Sequence, residues 1–310
     1  MTQTSTVQAS PEAPVKKART GRRRPASSSR ARTSPTLSIL MTLMLLYAVV
    51  PLLWLVINST KTNGGLFNSF GLWFADDFAL GENLTKLFSY QGGIYSNWLL
   101  NTVLYAGVGG IGATILATLG GYGLAKFSFP GRKWVLAGVI GAMTVPLTAL
   151  AVPTFLMFSR LGLVNTAWAV IIPALASPFG LYLMYVYSQD SVPESLLEAA
   201  RLDGASELRT FLSVSLRLLT PGFITVLLFT VVATWNNYFL PLIMLTDPKL
   251  YPLTVGLNQW SAQAGSSGAS EPVYNLVLTG SLVAIVPLII VFLFLQRYWQ
   301  SGLAAGAVKQ

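Results

Sequence analysis

Apolar residues in this chain fall into long runs separated by short polar segments. Six stretches, at about 36–57, 98–125, 134–158, 164–187, 220–245 and 275–296, approach the length a helix needs to cross a bilayer. None of the six contains Asp, Glu, Lys, Arg or His. Pro146, Pro153, Pro173, Pro178, Pro241 and Pro287 interrupt the later runs. Such breaks are tolerated in a span where the freed backbone groups face protein or a water-filled cavity. The pattern predicts an all-α membrane protein with six transmembrane helices. Within the second run, Gly109, Ala113, Ala117 and Gly121 recur at four-residue spacing. Small residues on one helical face let backbones approach closely, which predicts a packing seam, within the subunit or against a partner.

Composition narrows the class. The chain is 53% hydrophobic and 10% charged, whereas a soluble domain carries about a quarter charged residues. It has no Cys and no His, which removes disulfides, thiolate nucleophiles, His-based zinc sites and His general bases. No Gly-x-x-x-x-Gly-Lys-Ser/Thr loop is present to cradle nucleotide phosphates, so the chain is expected not to hydrolyse ATP and not to be an enzyme. The uncharged spans argue against proton-driven transport, which relies on intramembrane ionisable groups. Sodium coupling through carbonyls and hydroxyls stays open.

The net charge of +9 is unevenly spread. Residues 1–35 hold Lys16, Lys17, Arg19, Arg22, Arg23, Arg24, Arg30 and Arg32 against Glu12 alone, among Ser, Thr, Pro and Ala. Such a segment cannot build a core and reads as a disordered basic tail. Its arginine run hints at a twin-arginine signal. The apolar run that follows is longer than a signal's and lacks a small-residue cleavage site, so it reads as a retained span. With the N-terminus inside, 16 of the 20 Lys and Arg lie in the tail, the 126–133 and 188–219 loops and the C-terminus. Only Lys61, Lys86, Arg160 and Lys249 fall outside. That asymmetry predicts both termini in the cytoplasm. It also accounts for the basic balance without nucleic acid. The resulting division is a tail at 1–35, a six-helix domain at 36–296 and a small, flexible tail at 297–310.

One long polar segment separates the apolar runs of the second half, from Ser191 towards Pro221. Ser191 and Glu194 fit a capping box. Leu196, Leu197, Ala200 and Leu208 fall near a helical period. Asp203-Gly204 should end that helix, and Ser206-Glu207 should start another. The run Glu198-Ala199-Ala200, then Asp203-Gly204-Ala205, Phe211 and Pro221, resembles the EAA loop of binding-protein-dependent ABC importer permeases. Trp235-Asn236-Asn237 and the ending from Gln296 to Lys309 resemble the maltose-type, carbohydrate branch of that family. The resemblance covers roughly residues 36–310.

That resemblance implies a MetI-like permease architecture and a function. The chain would be the membrane subunit of an ATP-driven importer in a bacterial plasma (inner) membrane, moving a sugar or oligosaccharide by alternating access. It would bind no cofactor; ATP and Mg would be used by partner ATPases. The implied partners are two ABC ATPase subunits, a second permease, with a heterodimer favoured, and an extracytoplasmic solute-binding protein meeting the 246–274 loop. Glu198, Ala199, Ala200, Asp203 and Gly204 are the implied ATPase-coupling residues, within a loop at about 189–219. The sequence departs from the family where Leu216-Arg217 replaces a usual proline, which permits a continued helix.

Trp235, Asn236 and Asn237 are candidates for the solute path, because amides and flat rings suit sugar hydroxyls and ring faces. The asparagines, Asn101 included, also suit bonding between neighbouring helices, and that structural role is the one favoured. The family often has Asp where this chain has Asn237. The external segment 58–97, rich in aromatics and with Asp76 and Asp77, reads as a partly ordered interfacial loop; 246–274 is either a binding-protein contact or a plain connector. Two other classes remain: a carrier or channel acting alone on a small solute, ion-coupled in the first case, and a membrane scaffold recruiting partners through its tail and loop.

Overall fold

The computed structural model describes residues 34–265 and 273–307. Residues 1–33 of the basic tail and 266–272 of the 246–274 segment therefore lie outside the described residues. Described residues are helical or irregular, with no strand among them. The helices are α1 (Pro35–Ser59), α2 (Asn63–Asn68), α3 (Leu80–Ser89), α4 (Ile94–Lys126), α5 (Arg132–Thr144), α6 (Ala151–Arg160) and α7 (Trp168–Ala174). They continue as α8 (Pro178–Ser191), α9 (Glu194–Leu202), α10 (Glu207–Thr210), α11 (Leu216–Trp235), α12 (Phe239–Met244), α13 (Leu253–Ala264) and α14 (Tyr274–Ala307). The chain divides after Ala48 into two units, and all packing below belongs to residues 49–310.

Among the described residues, five helices are long and apolar enough to cross a membrane: α1, α4, α7 with α8, α10 through α11, and α14. The count is six if the bent pair formed by α5 and the segment Leu147–Arg160 is one span. The expected third run, 134–158, is thus not a straight helix: it bends by 98° at Val145-Pro146. Proline lacks a backbone donor and drives the residue before it into an extended conformation, and Val145 has φ −80° and ψ 122°. The fourth run also breaks, between Ala174 and Pro178, and restarts with the Ser177 side chain accepting from Gly180 N at 3.1 Å. The expected fifth run, 220–245, ends at Trp235, because Asn236 adopts φ −88° and ψ 2° and closes the helix. α12 follows as a separate turn.

α4 is the centre of the packing, clasped by α8 and α11. At about 1.5 Å per residue its 33 residues reach about 50 Å, well beyond the hydrocarbon layer. The predicted seam is present and lies within this chain. Gly109, Ala113, Ala117 and Gly121 are all buried. A Cβ added at Gly110 would sit 2.7 Å from Val231 Cγ2 of α11, and one at Gly121 would sit 2.7 Å from Met184 Cβ of α8. Thr114 and Thr230 join the same seam through their hydroxyls, 2.9 Å apart and buried.

At one end of α4, aromatic side chains bind the segment after α12. Trp98 and Trp260 pack with ring centroids 4.6 Å apart. Trp98 Nε1 donates to Pro248 O at 2.8 Å, and Asn101 Nδ2 donates to Lys249 O at 2.7 Å and Tyr251 O at 3.1 Å. Tyr105 OH donates to Leu250 O at 2.9 Å. The described part of the 246–274 segment is accordingly fastened to α4, and Asn101 serves as a brace between segments. A second polar knot ties the end of α1 to α3 and α14. Asn83 Nδ2 donates to Ser59 O and Lys61 O, both at 2.9 Å, and Asn83 Oδ1 accepts from Asn275 Nδ2 at 2.7 Å.

The seam makes a sharp prediction. Gly121→Val should destabilise the fold by about 1–3 kcal/mol, the usual penalty for overpacking. Gly123→Ala, where an added Cβ meets nothing within 4 Å, should be tolerated. Thermal unfolding of the two purified variants in one detergent, followed by size-exclusion recovery, distinguishes them.

Candidate coupling loop and solute path

The polar segment after α8 folds as a short helix, a tight turn and a second helix start. α8 and α9 are separated only by Val192-Pro193. The expected capping box does not form: Ser191 is still the last residue of α8, and α9 opens after Pro193 without a side-chain cap. The Glu194 carboxylate instead lies 3.7 Å from Lys126 Nζ at the end of α4. The same ammonium donates to Val192 O at 2.6 Å. Lys126 is nearly buried, so this charge-assisted bond holds the start of α9 against the central helix.

α9 ends in a Schellman turn. Ala205 N donates to Ala200 O and Gly204 N donates to Arg201 O, each at 3.0 Å. Gly204 has φ +77°, in the left-handed region where a Cβ is strained. The offset between the alanine pair and the glycine therefore has a geometric cause. Ala200 supplies the carbonyl that Ala205 N needs, and Gly204 supplies the backbone conformation between them. The helix restarts as expected at Ser206, whose Oγ accepts from Arg209 N at 3.4 Å. Arg201 bridges the turn, its Nε 2.7 Å from Glu207 Oε1. Both partners are well exposed, so this pair shapes the loop more than it stabilises it.

Of the residues expected on the buried face, Leu197 is fully buried, and Ala200 is half-buried. Leu197 packs among Tyr122, Met184, Val192, Phe211 and Leu219. Leu196 is exposed instead, because α9 is held to the bundle along a single narrow stripe, and Leu208 of α10 is exposed too. Glu198, Ala199, Asp203 and Gly204 are exposed as well. Leu202 is 89% exposed, giving the free face of the loop an apolar tip. The loop therefore has one rigidly docked residue row and one open row, which is the arrangement of a handle.

From Glu207 to Trp235 the backbone is continuous, as Arg217 in place of proline permits. Phe211–Ser215 form a π-helical turn. The Phe211 ring packs tilted against Tyr122 with centroids 4.9 Å apart, and Ser215 Oγ donates to Tyr122 OH at 3.2 Å. Nothing in the residues Phe-Leu-Ser-Val-Ser signals a widened turn; it is a product of packing on α4. Lys126 was equally silent, legible in the sequence only as a charge at a membrane edge.

The three solute-path candidates are adjacent in sequence but differ in setting. Trp235 is buried in the cluster that contains Trp98, Leu253 and Trp260. Asn236 is exposed, and its Nδ2 donates to Val232 O of its own helix at 2.9 Å. Asn237 is half-buried, with its carbonyl accepting from Thr254 Oγ1 at 2.8 Å. No group of three or more acidic side chains among the described residues is placed to hold a metal ion.

Three substitutions at two positions test this geometry. Leu197→Ala should destabilise by about 2–5 kcal/mol, as large-to-small core changes do. Gly204→Val should strain the turn by about 1–2 kcal/mol, and Gly204→Asn by less, since Asn visits the left-handed region. Limited proteolysis of the loop should quicken in the order wild type, Asn, Val. Equal rates in all three would remove the role given to the turn.

Comparison with known proteins agrees with this geometry. Over 283 residues the chain is 32% identical to an arabinooligosaccharides transport system permease protein of Halalkalibacterium halodurans, spanning 90% of this chain and 99% of the relative. It is 29% identical to a diacetylchitobiose uptake system permease protein of Streptomyces coelicolor, over 92% of each. Its fold is similar to a chain in the crystal structure of a bacterial ABC transporter involved in the import of the acidic polysaccharide alginate. That match has a TM-score of 0.76 at 23% identity and covers 85% of this chain and 95% of the other. Residues 110–304 match the family of binding-protein-dependent transport system inner membrane components, and the chain belongs to that family.

Proposed function

We propose that this chain is one of two paired permease subunits of an ATP-driven importer that carries an oligosaccharide into the cytoplasm. The observation that carries the reading is the exposed handle that begins at Glu194, docked through Leu197 and Lys126 onto α4 and the helices that clasp it. The reading counts α5 with the bent segment after it as one span, for six in all, and sets both termini in the cytoplasm of a bacterial plasma membrane. The basic residues of the tail and of the 126–133 and 188–219 loops then lie on the positive side.

In this mechanism, separate ATPase subunits bind ATP and Mg and press on the open row of the handle. Glu198 meets a basic group there, Ala199 allows close approach, and Leu202 enters an apolar recess. α9 joins α8 through two residues and joins α11 through the turn at Gly204 and the π-helical turn. Displacing it therefore moves α8 and α11 together against the seam on α4. A solute-binding protein delivers substrate on the opposite side, and the path runs between the two permeases. Sugar as the substrate class is supported by relatives named for arabinooligosaccharides and diacetylchitobiose. Asn236 is the candidate most able to meet solute, because its side chain is exposed while Trp235 is packed away.

Mild-detergent purification of the tagged full-length chain from native membranes, with mass spectrometry of what accompanies it, tests the assembly. An ATPase and a second permease should co-purify, and a Glu198→Ala/Gly204→Val double variant should lose the ATPase while keeping the permease. A chain that purifies alone and still transports after reconstitution would overturn the reading.

A further inference from the structure

The segment between α1 and α3 turns back along the span it follows. Asn58 Nδ2 donates to Trp54 O and to Gly71 O, both at 2.7 Å, so Gly71 lies beside the last turns of α1. Trp54 precedes the end of α1 by five residues, a drop of about 7.5 Å at 1.5 Å per residue. Lys61 is fully buried beneath the segment, with its Nζ donating to Phe70 O at 2.9 Å. Burial of the ammonium lowers its pKa. Ala79 N donates to Thr60 O at 2.7 Å and closes the loop. The loop is thus pinned at its base and at its middle.

What it holds outward is apolar. Phe67, Phe70, Trp73, Phe74 and Phe78 are each at least 46% exposed, with Phe70 at 72%. Leu52, Leu53 and Val56 at the end of α1 are exposed too, so the apolar surface of the span continues into the loop. A patch of this kind is rarely left to water. The depth selects the occupant, since aromatic rings concentrate where a span meets the headgroups, and interfacial elements sit about 5–10 Å into that layer. The charges between Thr62 and Ala79 are Asp76 and Asp77 alone, which disfavours docking on anionic headgroups and leaves apolar insertion as the attraction.

We propose that Phe67, Phe70, Trp73, Phe74 and Phe78 form a shelf inserted in the interfacial layer of the bilayer at the outer end of the first span. The shelf sets the depth of that span and, through the Asn83–Asn275 bond, of α14. It rests on the spanning of the membrane and not on the nature of the solute.

The chain contains no cysteine, so the wild-type complex, labelled in parallel, gives the background from the other subunits and each single-site variant adds one label to it. Phe70→Cys and Trp73→Cys, and Glu82→Cys on the exposed side of α3 as a control, would be labelled with an environment-sensitive fluorophore. The full chain with its co-purifying subunits would be reconstituted in zwitterionic lipid carrying quenchers at a shallow or a mid-chain position. Labels at 70 and 73 should lose most of their emission to the shallow quencher and less to the deep one, at low and high salt alike, while the label at 82 answers to aqueous iodide. Iodide quenching at 70 and 73 equal to that at 82 would overturn the proposal. So would protection from both iodide and lipid quenchers, which would mean that a protein surface covers the loop. The outcome is read without any substrate, so it stands apart from the test of transport.

Discussion

The close contact of α4 with α8 and α11 is the constraint on which the rest depends. In a bilayer, apolar side chains gain little by leaving lipid for one another, so helices are held by dispersion and by hydrogen bonds made at short range. Both need backbones to approach, and the small residues of α4 allow it. Val231 and Met184 occupy the space that side chains at Gly110 and Gly121 would fill. The Thr114–Thr230 bond exists because the seam brings two hydroxyls within reach.

Around that seam the two ends of the bundle are finished differently. At one end, Trp98, Tyr105 and Asn101 capture the carbonyls of Pro248, Leu250 and Lys249, giving an irregular segment fixed partners. At the other, Lys126 and Leu197 hold a short helix that is otherwise open to its surroundings. In the proposed mechanism a docked handle on a rigid bundle would transmit a push, because packed interfaces shift between discrete arrangements and do not deform smoothly. The π-helical turn at Phe211–Ser215 stands at the junction between handle and span, where such turns often mark functional positions.

Membership of the family frames these features without replacing their physics. The alanine pair and glycine of the loop are spaced by a Schellman turn, and that turn would impose the same offset in any chain. The substrate class, by contrast, comes from relatives and not from a pocket in this chain. Trp235, the one aromatic among the three solute-path candidates, is buried in the core.

The sequence by itself determined the helical class, the number of long apolar runs, the seam on α4 and the break at Gly204. Each rests on local composition or on a fixed helical spacing, which needs no knowledge of what lies opposite. Only the tertiary structure decided that Ser191 ends α8 instead of capping α9 and that Leu208 is exposed. It also decided that Lys126 braces the loop and that Asn101 braces the segment after α12. Those outcomes depend on which residues distant in the chain become neighbours: Asn101 and Lys249 are 148 positions apart. Periodicity reports a helix and its apolar face, but the partner for a polar side chain is chosen by packing.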